Sequence, residues 1–342
     1  MQTTIQIKLL PNREQRSILK DIMKSYIALV NECVNDMVTF DEYGKLTSKN
    51  VEANLPSALK NQCISDAKSI FRKYRKTKIE PVLRKPVAVW NNQNYKVTVD
   101  SISFPVFLNG RTTRISVRTI IPKSTLEYMQ THKLGTLRIT QKSGKFIAQI
   151  AVEAEQKAMA GSGVMGVDLG ILCPAVCYTD SGKVKFVGNG RKNKFIRRWF
   201  KAKRKKLGKA KKLKAIRKLH NKEQRIMRDI DHKLSREIIN FAVQNNVGTI
   251  KLEKLANIRR TTRTSRKNNH SLHTWSFYRL AHYIEYKAKL LGIRVEYVNP
   301  AYTSQTCPVC GQRHKTNTRD YRCKCGYHTH RDLVGAKNIC AA

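Results

Sequence analysis

Four cysteines between positions 307 and 325 constrain this chain more than any other feature of its sequence. They stand as Cys307-Pro-Val-Cys310-Gly and Cys323-Lys-Cys325-Gly, two short knuckles that must meet if they bind one ion. Two close pairs of thiolates are what a tetrahedral structural zinc requires, and Pro308 and Gly311 permit the tight first turn. The second pair has one residue between its cysteines where two are usual, so His314, His328 or His330 could replace one thiolate. The four-cysteine set is the preferred reading. A shell filled by four thiolates leaves no open position for water, so this site would brace structure rather than catalyse. Cys33, Cys63, Cys173, Cys177 and Cys340 read as small buried or half-buried residues, and the pattern argues against a secreted disulfide scaffold.

Charge sets the next limit. The 342 residues include 67 Lys+Arg against 24 Asp+Glu, a formal net charge of +43. Charge of that size repels itself in a compact chain and points to a polyanionic partner. No apolar run approaches the roughly 18–20 residues that span a bilayer. The opening Met-Gln-Thr-Thr-Ile-Gln-Ile lacks a signal-peptide pattern, so a cytoplasmic protein without a membrane partner is expected. The charge is densest between Arg191 and Arg225, where 35 residues hold 18 Lys and Arg and one acid, Glu223. Ile196, Trp199, Phe200, Leu207, Leu213, Ile216 and Leu219 recur there at helical spacing, predicting a helical hairpin that turns near Gly208. Like charges one turn apart destabilise a helix unless something neutralises them, and phosphates are the natural candidates. Lys201, Lys203, Arg204, Lys205, Lys206, Lys209, Lys211 and Lys212 are therefore candidate nucleic-acid ligands.

A chain of this length can bury two or three domains. Residues 2–10 alternate as a strand. Pro11-Asn12 then opens a helix whose apolar stripe is Leu19, Ile22, Met23, Tyr26, Ile27, Val30 and Val34, and a second helix is predicted over 55–75. Between 87 and 150, alternating runs at 94–99, 114–117, 135–139 and 146–152 are broken by Gly110, Gly135 and Gly144, predicting an antiparallel sheet or small barrel. Residues 158–162 read as a linker. A strand over 164–169 carrying Asp168, a strand over 175–178, the turn Asp180-Ser-Gly182 and a strand over 184–187 follow. Three hairpin strands with an acid on the first are the opening of an RNase H-like fold. A helix continues through Ile226, Ile230, Leu234, Ile238, Ile239 and Val243, and a strand over 247–252 presents Glu253. Residues 258–269 read as a mobile basic loop. A helix over 275–291, a strand over 294–298 and a terminal helix over 333–340 complete the pattern.

Phosphodiester hydrolysis by two divalent ions needs carboxylates converging on metals roughly 3.5–4 Å apart. Hard oxygen ligands suit Mg2+. Asp168, Glu253 and Asp332 each end an apolar run or head a helix, and they are the candidate catalytic and Mg2+-binding residues. Asp168 would bridge the ions, Glu253 would hold one of them, and Asp332, favoured at a helix start, would close the site. Each alone could equally be a turn acid, a surface acid or an N-cap; with the charge and the cysteines, they read as a metal-dependent nuclease. Arg331, beside Asp332, is placed to hold a phosphate bidentately. Trp199, Trp275 and Tyr278 could stack bases, although a Trp at helical spacing is more often core.

These residues carry a family resemblance. Ile7-Lys-Leu-Leu-Pro11-Asn-Arg-Glu-Gln15, Gly166-Val-Asp168-Leu-Gly170, Ile250-Lys-Leu-Glu253-Lys-Leu255 and Pro300-Ala-Tyr-Thr-Ser304-Gln-Thr-Cys307-Pro-Val-Cys310-Gly resemble successive signatures of the TnpB (OrfB) proteins of IS200/IS605 transposons. So does Arg331-Asp332-Leu-Val-Gly-Ala336-Lys-Asn338-Ile. These proteins are RNA-guided relatives of the miniature type V CRISPR effectors, and the resemblance covers essentially the whole chain. It implies an α+β multidomain protein. Residues 1–155 would form a wedge β-barrel domain with a helical recognition insert at about 11–80, and 156–163 a linker. Residues 164–342 would form an RNase H-like (RuvC) nuclease domain with a helical insertion at about 190–245 and a zinc-ribbon insertion at about 303–329. It further implies a transposon-derived guide RNA, Mg2+ or Mn2+ at the nuclease site, a structural Zn2+, and cleavage of double-stranded target DNA beside a short transposon-adjacent motif. A bacterial or archaeal, nucleoid-associated setting follows. An unguided endonuclease or transposase, or a non-catalytic nucleic-acid-binding regulator, stands as the alternative.

Overall fold

The computed structural model describes residues 2–155, 161–219, 221–255, 266–316 and 318–342. Residues 156–160 of the expected 156–163 linker and residues 258–265 of the expected 258–269 basic loop lie outside the described residues, and 266–269 belong to a helix instead of a loop. Packing divides the chain into two compact units, Met1–Ala154 and Glu155–Ala342.

In the first unit, strand β1 (Gln2–Leu9) leads into helix α1 (Arg13–Thr39). The start of α1 is fixed by a capping box: the Asn12 side chain accepts from the Gln15 N–H at 2.8 Å, and the Gln15 side chain accepts from the Asn12 N–H at 3.2 Å. The predicted apolar stripe of α1 is buried throughout and packs with α2 (Ser57–Thr77). The strands are β2 (Val87–Trp90), β3 (Lys96–Val97), β4 (Ser101–Leu108), β5 (Arg111–Arg118), β6 (Leu134–Lys142) and β7 (Lys145–Glu153), with α3 (Lys123–Thr131) before β6. They form two antiparallel sheets, ordered β1-β7-β6-β2 and β3-β4-β5. A single bridge, Leu9 to Thr119, links β1 to the end of β5. The expected barrel is therefore not closed by a continuous ladder among the described residues. The short β3, of two residues, and Pro105 in β4, which has no N–H to donate, limit what these strands can pair with.

The second unit is built on one five-stranded sheet ordered β10-β9-β8-β11-β12. β8 (Gly163–Asp168), β9 (Ala175–Thr179) and β10 (Val184–Val187) are the antiparallel hairpins expected from the sequence. β11 (Val247–Glu253) and β12 (Arg294–Val298) then add in parallel. Between β10 and β11 the chain runs through α4 (Gly190–Lys209), α5 (Leu213–Leu219) and α6 (Lys222–Gln244). The α4–α5 turn falls at 210–212, just past Gly208. Between β11 and β12 lie α7 (Arg266–Thr274) and α8 (Phe277–Leu290). The hairpin β13 (Asp320–Arg322) and β14 (His328–His330) precedes α9 (Arg331–Ala341), which begins two residues earlier than the apolar pattern predicts. Met165, Val167, Ile250 and Leu252 form the core with Ile238 and Ile239 of α6 and Ile284 of α8. No described helix is long and apolar enough to cross a membrane.

Candidate functional site

Strand pleating puts two acids on one face. Side chains alternate along a strand, so while Met165 and Val167 of β8 enter the core, Gly166 and Asp168 turn to the opposite side. Helix α9 covers that side, so closely that a Cβ on Gly166 would lie 2.2 Å from the Ala336 carbonyl oxygen. On β11 the same face carries Lys251, whose Nζ donates to the Cys340 carbonyl at 3.1 Å, and hence Glu253. The parallel register sets Leu252 against Val167, so Asp168 and Glu253 end neighbouring strands side by side.

Asp332 arrives in the first turn of α9. His330 caps that turn, its Nδ1 accepting from the Asp332 N–H at 3.2 Å. Gly335, one turn further, lets the helix approach: a Cβ there would lie 3.0 Å from Asp168 Oδ2. Asp332 and Glu253 are both buried, and Arg319 pairs with Asp332 Oδ1. Asp332 Oδ2 is buried with no hydrogen-bond donor. Glu253 accepts a hydrogen bond from the Thr303 hydroxyl. The Thr303 segment is itself clamped by Asn338 Nδ2, which donates to the carbonyls of Thr303 and Thr306, each at 2.7 Å. Burial raises the pKa of Asp168 well above 3.8, and the charges of Glu253 and Asp332 raise it further against the opposing pull of Arg319 and Arg331. Burial also raises Glu253, opposed by the Thr303 hydrogen bond.

This arrangement fits a hard cation. A buried carboxylate oxygen without a donor is costly, and two further acids at its side supply the all-oxygen donor set that divalent Mg2+ or Mn2+ prefers. The carboxylates are less tightly gathered than the cysteines. Among the described residues, Cys307, Cys310, Cys323 and Cys325 are the one group of three or more potential ligands whose ligand atoms all lie within 4.8 Å. Their sulfurs approach to 3.7 Å (Cys307 to Cys325) and 3.5 Å (Cys310 to Cys323). Four thiolates at the usual Zn–S length of about 2.3 Å in a tetrahedron sit about 3.8 Å apart, so the cluster has the dimensions of a structural metal site. Two of the three alternative histidines are engaged elsewhere, His328 with Asp320 and His330 at the α9 cap, and His314 is not in the cluster.

The other expected residues separate. Arg331 lies beside the acids, but its Nη1 donates to the Thr316 carbonyl at 3.2 Å, which ties it to the segment before β13. Lys201, Lys203, Arg204, Lys205, Lys206, Lys209, Lys211 and Lys212 are all exposed along α4 and the turn after it. Arg204 pairs with Glu223 at 2.7 Å and Lys203 Nζ stands 4.5 Å from the Trp199 ring centre. Trp275 packs against the core and Tyr278 is 77% exposed. Arg319 and Thr303, which hold two of the acids, carry no signal of that role in the sequence. Thr303 stands inside a recognisable motif, but Arg319 lies between the two knuckles in a stretch without apolar periodicity.

Comparison with known proteins gives this arrangement a context. Residues 148–259 match the OrfB_IS605 family, described as a probable transposase, and residues 277–339 match the Cas12f1-like TNB domain. The chain is 26% identical over 344 residues to a CRISPR-associated endodeoxyribonuclease Cas12f1 of Syntrophomonas palmitatica, a match covering 86% of this chain and 67% of that protein. It is 40% identical over 125 residues to a TnpB-like protein of Methanocaldococcus jannaschii, covering 36% of this chain and 45% of that one. In fold it resembles the Cas12f1 chain of a Cas12f1–sgRNA–target DNA complex, with a TM-score of 0.70 at 15% identity over 96% of this chain and 83% of the other.

Proposed function

This chain belongs to the TnpB/Cas12f-like family of RuvC nucleases, and on that premise we propose that it is an RNA-guided, metal-dependent DNA endonuclease. Its substrate would be double-stranded DNA matched to a transposon-derived guide RNA and flanked by a short adjacent motif. The observation that supports this reading is that Asp168 and Glu253 end neighbouring strands, that the charges of Glu253 and Asp332 both act on Asp168, and that Asp332 Oδ2 is buried with no donor.

Asp168, Glu253 and Asp332 would hold Mg2+ or Mn2+. Bound there, divalent ions would acidify the attacking water and neutralise charge at the leaving 3′ oxygen. The chain's own part is placement. Thr303 fixes the Glu253 carboxylate, Asn338 fixes Thr303, and the His330 cap orients Asp332. Arg319 offsets the repulsion among the acids, and Arg331, held at Nη1 by the Thr316 carbonyl, would meet a phosphate oxygen through its remaining N–H groups. Cys307, Cys310, Cys323 and Cys325 would hold Zn2+, bracing the segment that carries Thr303 and Arg319. The α4–α5 lysines would contact the backbone of the guide–target duplex, adding affinity without reading sequence. Residues 1–155 would form the wedge and recognition part that reads the adjacent motif.

Expression with the native downstream flank, followed by sequencing of the RNA that co-purifies, tests the guided reading. One abundant species with a fixed boundary is expected. A smear of host RNA would remove the guide from the account and leave an unguided nuclease. An Asp168→Asn variant that cleaves at the wild-type rate would overturn the nuclease assignment itself.

A further inference from the structure

Lysine is seldom fully buried without an acid to meet it, yet Lys287 of α8 is 4% exposed and no carboxylate pairs with it among the described residues. Its Nζ donates to the His232 carbonyl at 2.7 Å and to the Ser235 hydroxyl oxygen at 2.6 Å, both on α6. An ammonium carries three N–H donors, and both of these acceptors are neutral, so a donor and the charge itself are left uncompensated. The Tyr286 ring, its centre 5.9 Å from Nζ, is a weak substitute for an anion. Burial, followed by the charge of Arg236, lowers the Lys287 pKa to about 8.

Lys287 lines an open groove of about 450 Å3 on the side of the sheet that α6 and α8 cover, the face opposite α9. The other cations of the groove are Lys185 on β10 and Lys233 and Arg236 on α6. Lys185 is paired with Glu237, the acid of the groove, at 3.3 Å, and Lys233 with Asp229 at 2.7 Å. Arg236 is exposed and enters no ion pair among the described residues. Two unmatched cations therefore share one groove, and Asn240, one turn along α6 from Arg236, adds a neutral amide.

We infer that Lys287 and Arg236 form a binding site for one phosphate group, separate from the acids and independent of the nuclease reading. A buried cation without an anion is costly, and an anion seated on it offsets that cost. A carboxylate would be satisfied by the guanidinium fork alone. A phosphate has oxygens for the fork, for the remaining Lys287 donor and for the Asn240 amide together. Because the groove is open, the phosphate can arrive attached to a larger body, either the backbone of a nucleic-acid strand or a free nucleotide.

The test uses the full-length protein freed of nucleic acid, with inorganic phosphate as the probe and chloride holding the ionic strength constant. Melting temperature against phosphate concentration gives the affinity of the stabilising site. Lys287→Met, close to the original in length, and Arg236→Gln should each weaken that affinity at least about tenfold, the scale of one charge-assisted hydrogen bond. Lys145→Gln, at the exposed turn between β6 and β7, should leave it unchanged. Since Arg236 is exposed, its variant decides the matter even where Lys287→Met does not fold. Phosphate should also slow acetylation of Lys287 by acetic anhydride at pH 8, read by peptide mass spectrometry, while Lys145 reacts as before. Adenosine monophosphate and an oligothymidylate with a 5′-hydroxyl separate the two sources. Binding of the first that depends on Arg236 and Lys287 identifies a free nucleotide, and such binding of the second identifies a strand backbone. Wild-type phosphate affinity in Arg236→Gln, with Lys287 acetylated equally fast with and without phosphate, would overturn the site and leave the nuclease reading as it stands.

Discussion

Burial acts most strongly on Asp168, raising its pKa well above 3.8, with Glu253 and Asp332 adding to the effect. The consequence for stability has a definite sign. Between 3.8 and its raised value, Asp168 binds more protons folded than unfolded, so the metal-free protein loses stability as pH rises through that window. Asn in its place resembles the protonated form. Asp168→Asn should therefore melt several degrees higher than wild type in EDTA near neutral pH, given about 2–4 °C per kcal/mol for domains of 150–250 residues. The gain should shrink as pH falls toward 3.8, and melting curves over a pH series check it. The same variant should lose at least about a hundredfold in cleavage, the scale expected when a transition-state stabiliser is removed. A variant less stable at neutral pH, or one that still cuts, would contradict the electrostatic description. Asp168 and Glu253 are legible in the sequence because each ends an apolar run whose burial dictates a strand, and Asp332 because it heads a helix with a visible stripe. Thr303 and Arg319 are not legible as partners. Thr303 meets Glu253 across 50 positions, and only the folded path of the 299–319 segment decides which acids the two side chains reach.

Helix α9 and the four-cysteine ribbon act as elements, not as isolated residues. Apart from its sulfurs the ribbon has a minimal core, in which Cys307, Tyr321 and Val334 are buried with Cys323 and Tyr327 packed against them. So few apolar groups cannot order a segment unaided. Removing the metal, by a zinc-selective chelator or by Cys307→Ser, is expected to release about one zinc per chain. It should free Thr303 and Arg319 and lower cleavage at saturating Mg2+ at least about tenfold, while far-UV circular dichroism of the sheet persists. Metal analysis beside the cleavage rate decides it, and a metal-free protein of full activity would refute the bracing role. Gly335 makes a finer demand. A Cβ there would stand 3.0 Å from Asp168 Oδ2 and 3.2 Å from its Cγ, so Gly335→Ala must push either the carboxylate or the helix. A cost of about 1–3 kcal/mol is expected from such overpacking, visible in urea melts together with a clear loss of cleavage. At this scale the sequence was most readable where apolar periodicity met a turn, as in β8 to β10, α1 and α8. It was least readable in β4, whose Ile102, Phe104 and Val106 are buried but whose pattern is broken by Pro105. There the Trp90 indole N–H donates to the Pro105 carbonyl at 3.1 Å, a contact from outside the strand that no local pattern announces. Nor does periodicity state whether a set of antiparallel strands closes, and the seven strands of the first unit split into two sheets.

For the chain as a whole, a net charge of +43 is a thermodynamic liability without a polyanion. Much of it sits on α4 and α5, and the eight expected contact residues between Lys201 and Lys212 all face solvent. Solvent-facing cations bind phosphate by releasing condensed counterions, and each contact to a duplex contributes about 0.9 to the slope of log affinity against log salt. If Lys201, Lys203, Lys205 and Lys206 each meet one phosphate, changing all four to Gln should lower that slope by roughly 3–4 and weaken binding evenly across sequences. Titrations of a labelled duplex at several salt concentrations give the slope directly. Arg204 is deliberately left in place, because its partner Glu223 would otherwise be left unpaired between the two helices and confuse loss of contact with loss of structure. An unchanged slope in the four-Gln variant would move the phosphate path off α4. A slope reduced together with a lower melting temperature would instead mean that these lysines support the fold. Since all four are exposed, the first effect is expected without the second, and removing like charges from one helix should slightly raise the stability of the free protein at low salt.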